Sequence, residues 1–191
     1  GTMPDGYSVQ PMIIRRKSRE CLLGIAHDPV FGPVIVFGTG GTAVEVVRDT
    51  AMALPPLDDL LGRDLIARTR IGKLLEGYRD VPAADMPALV NALNSVSQLV
   101  VDFPEIRGLD INPLLADAEG IMALDARIEL DLTRSGEAGP NRDLPIRPYP
   151  ADWISTFQSH EGKPYMMRPI KPVDLKLYPR FFEGVSQEDI R

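Results

Sequence analysis

The sequence is short of several things, and each shortage narrows what the chain can be. It has a single cysteine, Cys21, in 191 residues. One thiol rules out an intrachain disulfide framework and fits a reducing, cytoplasmic setting. No stretch approaches the roughly 18 apolar residues of a membrane span, and no N-terminal signal pattern is visible. Positive charge is also scarce: the formal net charge is −6, and the densest basic stretch is only IIRRKSRE, residues 13–20. Neither nucleic acid nor a membrane is expected as a partner. There is no internal repeat.

What is present suffices for a folded domain. The hydrophobic content is 44 %, enough to bury a core. The length suits one large domain, or one domain plus part of another. Gly1-Thr2-Met3 looks like an appended remnant, and the chain then enters the strand-like YSVQPMII almost at once. A piece of a longer protein is therefore expected.

Residues 7–14 and 19–27 read as strands, with the charged RRKS between them. PVIVF, residues 33–37, is a short apolar run suited to a strand buried on both faces. GTGG follows at 38–41, and TAVEVVRD at 42–49 reads as a further strand. Residues 57–78 are predicted as one or two helices interrupted at Gly62 and Gly72. The clearest helix is ADMPALVNALNSVSQLVVDFP, where Met86, Leu89, Val90, Leu93, Val96, Leu99 and Val100 recur at helical spacing and Pro104 ends the run. Two strands, 106–115 and 121–130, follow. Residues 132–152 have scattered prolines and no periodicity and read as an extended linker. A hairpin turning at HEGK and the start of a helix close the chain.

The stretch LDINPLLADAEGIMALDARI, residues 109–128, holds the candidate site. With Ala118 and Glu119 at the tip of a two-residue turn, paired residues are fixed. Asn112 then faces Asp125, and Asp110 faces Arg127. Alternation puts these four on one face and Leu109, Ile111, Pro113, Met122, Leu124, Ala126 and Ile128 on the other. Opposed Cβ atoms lie about 4.5–5.5 Å apart. The Asn112 amide oxygen and the Asp125 carboxylate can thus converge on one cation, as in the incomplete protein shell of Mg²⁺. An Asp110–Arg127 ion pair beside polar residues on a solvated face satisfies the same spacing, and spacing alone does not separate the two readings.

DINPL and ALDARI, with FGPVIVFGTGGTAVEVVRD upstream, resemble the second half of the ATP-grasp domain in NDP-forming acyl-CoA synthetases and the related succinyl-CoA synthetase β chains. The likeness runs over roughly residues 8–130. It implies an α+β fold, the ATP-grasp C-terminal subdomain, with a mostly antiparallel sheet packed with helices over residues 1–131. It further implies Asn112 and Asp125 as Mg²⁺ ligands, with Asp110 as a further ligand or supporting group and Arg127 orienting Asp110 or meeting a phosphate. Gly38, Gly40 and Gly41 match the family's glycine loop, whose N–H groups can approach an anion; a tight turn with positive φ accounts for the same glycines. Arg19 and Glu20 match an Arg-Glu near the nucleotide cleft. Glu45 and Asp49 match acidic positions after the loop, Glu45 as a buried structural residue. The tail MMRPIKPVDLKLYPRFFEGVSQEDIR, residues 166–191, resembles the start of a GNAT acetyltransferase domain. The expected domains are therefore 1–131, a linker at 132–152, and a truncated GNAT start at 153–191.

The implied reaction joins acid, CoA and ATP into acyl-CoA, ADP and phosphate, through an acyl phosphate and a phosphohistidine. ATP or ADP and Mg²⁺ are the implied cofactors, with CoA bound in the full-length parent. The Lys-bearing first half of the ATP-grasp unit, the CoA-binding domains and the carrier histidine have no counterpart here; His27 and His160 do not match that carrier. The chain is expected to be inactive alone, to meet nucleotide and CoA-thioester substrates through parts outside it, and to leave room for a homo-oligomer. Two other readings stand beside this one. The chain is a non-catalytic module controlling a GNAT lysine acetyltransferase, or part of an acetyltransferase gated by the synthetase-like region.

Overall fold

The computed structural model describes residues 11–43, 48–136, 140–150 and 153–186. The chain forms two compact units, residues 1–146 and 147–191. In the first, strands β1 (Arg19–Asp28), β2 (Gly32–Thr39), β3 (Thr50–Ala53), β4 (Ile106–Asp117), β5 (Gly120–Ala123) and β6 (Ala126–Leu130) make one sheet. All pairings are antiparallel, in the order β3-β2-β1-β4-β5, with β6 also on β4.

Period-two alternation sends Cys21, Leu23 and Ile25 of β1 and Ile35 and Phe37 of β2 to one face. The register sets Leu23 opposite Phe37 and Ile25 opposite Ile35. Helices α1 (Asp59–Ala67), α2 (Arg70–Leu75) and α3 (Met86–Asp102) cover that face. The stripe read from the sequence is the buried side of α3, with Leu89, Val90, Leu93, Val96 and Val100 all in the core. Each helix begins at a side-chain cap. The carboxylates of Asp58 and Asp85 accept from the Leu61 and Ala88 N–H groups, and the Thr69 hydroxyl accepts from Gly72 N–H.

Several expectations are corrected. Residues 11–14 are not strand, and 7–10 lie outside the described residues. The strand expected at 42–49 is replaced by a short 3-10 turn at Gly41–Ala43 and a strand beginning only at Thr50, with 44–47 outside the described residues. Gly62 and Gly72 do not break helices. They lie inside α1 and α2, where a Cβ on Gly62 would stand 3.3 Å from Val90 and one on Gly72 would strike the Ile66 carbonyl. These glycines mark close packing, and the break falls between them at Arg68-Thr69.

The strand expected at 121–130 is two, parted at Leu124-Asp125. Its outer piece is not core-facing: every residue of β6 is exposed, and Ile128 is 56 % accessible. Of the expected apolar face Leu109 is buried and Ile111 packs on the core, whereas Leu124 and Ala126 are exposed. The first unit also runs past residue 131. Asn141 donates its backbone N–H to the Val101 carbonyl and its amide to the Val100 carbonyl, and Leu144 enters the core. The orphan carbonyls at the end of α3 thereby find donors.

In the second unit, β7 (Ser155–Gln158) and β8 (Pro164–Met167) form the expected hairpin. A 3-10 turn at Pro172–Leu177 leads into α4 (Tyr178–Glu183). Arg168 grips the Asp174 carboxylate through two hydrogen bonds of 2.8 and 2.7 Å. No side chain described in this unit is buried.

Asp49 ties the loop region of the first unit together. It is 8 % accessible and accepts from the Thr39 hydroxyl at 2.7 Å, Arg70 N–H at 2.8 Å and Ile71 N–H at 2.9 Å. One carboxylate thus joins the end of β2 to the first turn of α2. Burial alone would raise its pKa; the bonds from Arg70, Thr39 and Ile71 outweigh burial and hold it below the ordinary carboxylate value. Asp49→Asn is expected to lower unfolding free energy by about 2–4 kcal/mol in urea titrations at neutral pH. Because the folded pKa is depressed, the advantage of the wild type is complete above about pH 4, the unfolded value, and fades as pH falls through the folded one.

Candidate functional site

The hairpin has the register that the turn predicts. Leu114 pairs with Ala123, Ala116 with Ile121 and Asp117 with Gly120, and beyond the break Asp110 pairs with Arg127 and Ile111 with Ala126. At the break, Asn112 donates its N–H to the Asp125 carbonyl at 3.2 Å, and Leu124 donates to the Pro113 carbonyl at 3.1 Å. Asn112 therefore lies opposite Asp125, and Asp110 opposite Arg127, along the backbone.

The side chains follow a different plan, because β4 bulges here. Between the pairs Leu23–Ile111 and Cys21–Leu114, β1 contributes Leu22 alone while β4 contributes Asn112 and Pro113. The core side of β4 accordingly reads Leu109, Ile111, then Leu114, Ala116, a jump of three in place of two. The Asn112–Pro113 peptide is cis. A bulge re-aims a side chain, and here the Asn112 Oδ1 accepts from Gly41 N–H at 2.7 Å. Arg127 turns along its own strand, with its Nε 3.3 Å from the Asp125 carboxylate. Both are well exposed, so that pair contributes little to stability. Asp110 is exposed beside Arg127 on the wall of an open hollow of about 250 Å³.

The loop is equally specific. Thr39 N–H donates to the Asp49 carbonyl at 2.9 Å and Gly40 N–H to the Glu20 carbonyl at 2.8 Å; with Gly41 on Asn112, three successive amides have partners. A Cβ at Gly38 would collide with the Asp49 carbonyl, and one at Gly40 with the Cys21 carbonyl. Gly41 has φ +76°, and the Glu20 carboxylate occupies the place of its missing Cβ. Of the three, Gly41 alone has the positive φ of a tight turn; at Gly38 and Gly40 the neighbouring carbonyls leave no room for a Cβ. Glu20, Gly41 and Asn112 are gathered at one point. Asp125 and Arg127 pair with each other. Arg19, half-buried on β1, keeps a buried Nε without a hydrogen-bond partner among the described residues. Glu45 lies outside the described residues.

All the candidate metal donors are oxygens, an amide and carboxylates, as a hard divalent cation requires. Among the described residues no three His, Cys, Asp or Glu side chains are placed to hold a metal. The pairing of Asn112 with the loop escaped the hairpin reading, which assumed unbroken alternation. Its signal was Pro113: proline within a central strand is confined to bulges.

A family model described as an ATP-grasp domain matches residues 2–130. The ADP-forming 4-hydroxybutyrate–CoA ligase of Nitrosopumilus maritimus is 41 % identical over 114 residues, 59 % of this chain and 16 % of the ligase. The subunit beta of ADP-forming acetate–CoA ligase II from Pyrococcus furiosus is 35 % identical over 128 residues, 65 % of this chain and 53 % of the subunit. Among solved structures, the dinucleotide-forming acetyl-coenzyme A synthetase 1 of Ca. Korarchaeum cryptofilum, in complex with coenzyme A and Mg-AMPPCP, shares 36 % identity. The TM-score is 0.57, and the match covers 59 % of this chain and 53 % of that one. The chain belongs to the ATP-grasp family. More narrowly, it is homologous to the ATP-grasp region of ADP-forming acyl-CoA synthetases, and it spans from about a sixth to about half the length of these relatives.

Gly41→Ala meets both a positive φ and the Glu20 carboxylate. It is expected to destabilise the first unit by about 1–2 kcal/mol, and Glu20→Ala in the same chain should restore part of that. A double-mutant cycle by chemical denaturation measures the coupling; strict additivity would place Glu20 away from Gly41.

Proposed function

We propose that this chain supplies one wall of the Mg-nucleotide site of an ADP-forming acyl-CoA synthetase, which makes acyl-CoA, ADP and phosphate from acid, CoA and ATP. The carrying observation is that the hairpin and the glycine loop, 71 positions apart, meet at the 2.7 Å contact between Asn112 and Gly41. Asn112 and Asp125 would hold the cation through oxygen, with Asp110 as a further or supporting acidic group. Bound there, Mg²⁺ spreads the negative charge of the phosphoryl group during transfer. The incomplete protein shell leaves room for phosphate and water oxygens.

The other residues act on the nucleotide. Close packing at Gly38, Gly40 and Gly41 sets the path of the loop backbone toward the phosphates, with the Glu20 carboxylate beside Gly41. Arg19, whose buried Nε has no hydrogen-bond partner among the described residues, and Arg127 answer phosphate charge, and Glu20 seats the loop. CoA and the acid belong to regions beyond residues 1–146, as does the carrier of the phosphoryl group. We read the second unit as the start of a GNAT acetyltransferase domain. Its lack of a single buried side chain among the described residues supports an element that completes its packing on further polypeptide.

Calorimetric titration of Mg·ADP tests the nucleotide reading. Wild type is expected to bind weakly, and Asp125→Ala at least about tenfold more weakly, since removing a charged oxygen ligand costs more than about 1.4 kcal/mol. Equal affinity would remove Asp125 from the metal site. The isolated chain is also expected to form no CoA thioester from acid and ATP in a coupled assay, and measurable turnover would overturn the one-wall reading.

A further inference from the structure

Of the three consecutive loop amides, two donate to backbone carbonyls, of Asp49 and Glu20, and one donates to a side chain. Moving either of the first two means moving a strand. The third depends on one amide group, aimed at Gly41 by the bulge in β4. We propose that Asn112 is a positioning residue for the glycine loop: its side-chain oxygen sets the Gly41 amide before any ligand arrives, apart from its role toward a cation.

The argument is local. Gly41 adopts φ +76° and opens the 3-10 turn Gly41–Ala43, just past the end of β2 at Thr39. Gly41 itself carries no side chain to pack against anything. What fixes it is the Asn112 oxygen on its N–H, with the Glu20 carboxylate beside its Cα. A carbonyl oxygen has two lone pairs. The one that Gly41 does not use stays available, so holding the loop and facing a cation are compatible roles for one atom. That places the loop and the metal hairpin under common control: a nucleotide arriving at the loop finds its backbone already set by the residue that would face its cation.

The functional consequence rests on the nucleotide-site reading; the structural claim does not, so the two can fail separately. Amide hydrogen exchange read by NMR on the full chain, without nucleotide or metal, tests the structural claim. Asn112→Ala is expected to speed Gly41 exchange roughly tenfold, the loss of one hydrogen bond. Leu23, Ile35 and Phe37 at the sheet centre should keep wild-type rates. Asn112→Asp retains an acceptor oxygen at the same reach and is expected to restore Gly41 protection. Asp125→Ala, which removes only the hairpin carboxylate, should leave it intact. An unchanged Gly41 rate in Asn112→Ala overturns the proposal. So does an equal rise across the central strands, which would make Asn112 a general support of the sheet, and so does failure of Asn112→Asp to restore protection. ADP without Mg²⁺ then tests the consequence. Asn112→Ala should weaken its binding several-fold while Asp125→Ala does not. Equal weakening by both overturns that consequence, and no weakening by Asn112→Ala returns Asn112 to a purely metal role. If wild type itself binds no ADP, the nucleotide reading falls while the exchange result stands.

Discussion

One surplus residue in β4 decides how this site is built. Without it, alternation would carry Asn112 and its neighbours along a single face, and the glycine loop would have no partner on that strand. The bulge opposite Leu22 shifts the inward set from Leu109 and Ile111 to Leu114 and Ala116. The core remains apolar on both sides of the irregularity, because the sequence supplies apolar residues in the shifted phase. Pro113, which has no N–H to offer a ladder, occupies the one place in a central strand where none is required.

The loop shows how glycine serves closeness more than freedom. At Gly38 and Gly40 the obstacle to a side chain is the carbonyl of a neighbouring segment. Each contact draws a different piece of chain against the loop: the approach to β3 at Asp49, the start of β1 at Glu20, and β4 through Asn112. Asp49 extends the set to α2 by taking its first two amides. The loop is thus the point where four separate segments are pinned together, and its shape depends on long-range packing more than on its own residues.

Much of this was legible in the sequence, for identifiable reasons. Helix α3 announced itself through seven apolar residues at helical spacing and a terminating proline. The hairpin register followed from a two-residue turn, and the structure has it. The residues that carried the resemblance to ATP-grasp proteins all lie within residues 2–130, the span that the family model matches. What stayed hidden depended on distant partners. Periodicity does not show that Gly62 and Gly72 face other backbone or side chains in close packing, nor that Asn141 returns to the end of α3. The break at Leu124-Asp125 was invisible because both halves of that strand keep one register across it. For the site, the backbone pairing of Asn112 with Asp125 was readable and the direction of the Asn112 side chain was not, since a bulge intervenes.

Strand β6 pairs with β4 on one side and leaves every side chain in water, Ile128 and Leu130 among them. Such a strand is adhesive. Its outer row of N–H and C=O groups is a template for any extended chain that drifts past, and its apolar side chains reward the encounter. Arg127 and Glu129, standing along the same short segment with opposite charges, are a thin defence, because a second copy arriving antiparallel can set each against its opposite. The five residues of β6 thus offer a second chain a docking edge while taking no part in the core.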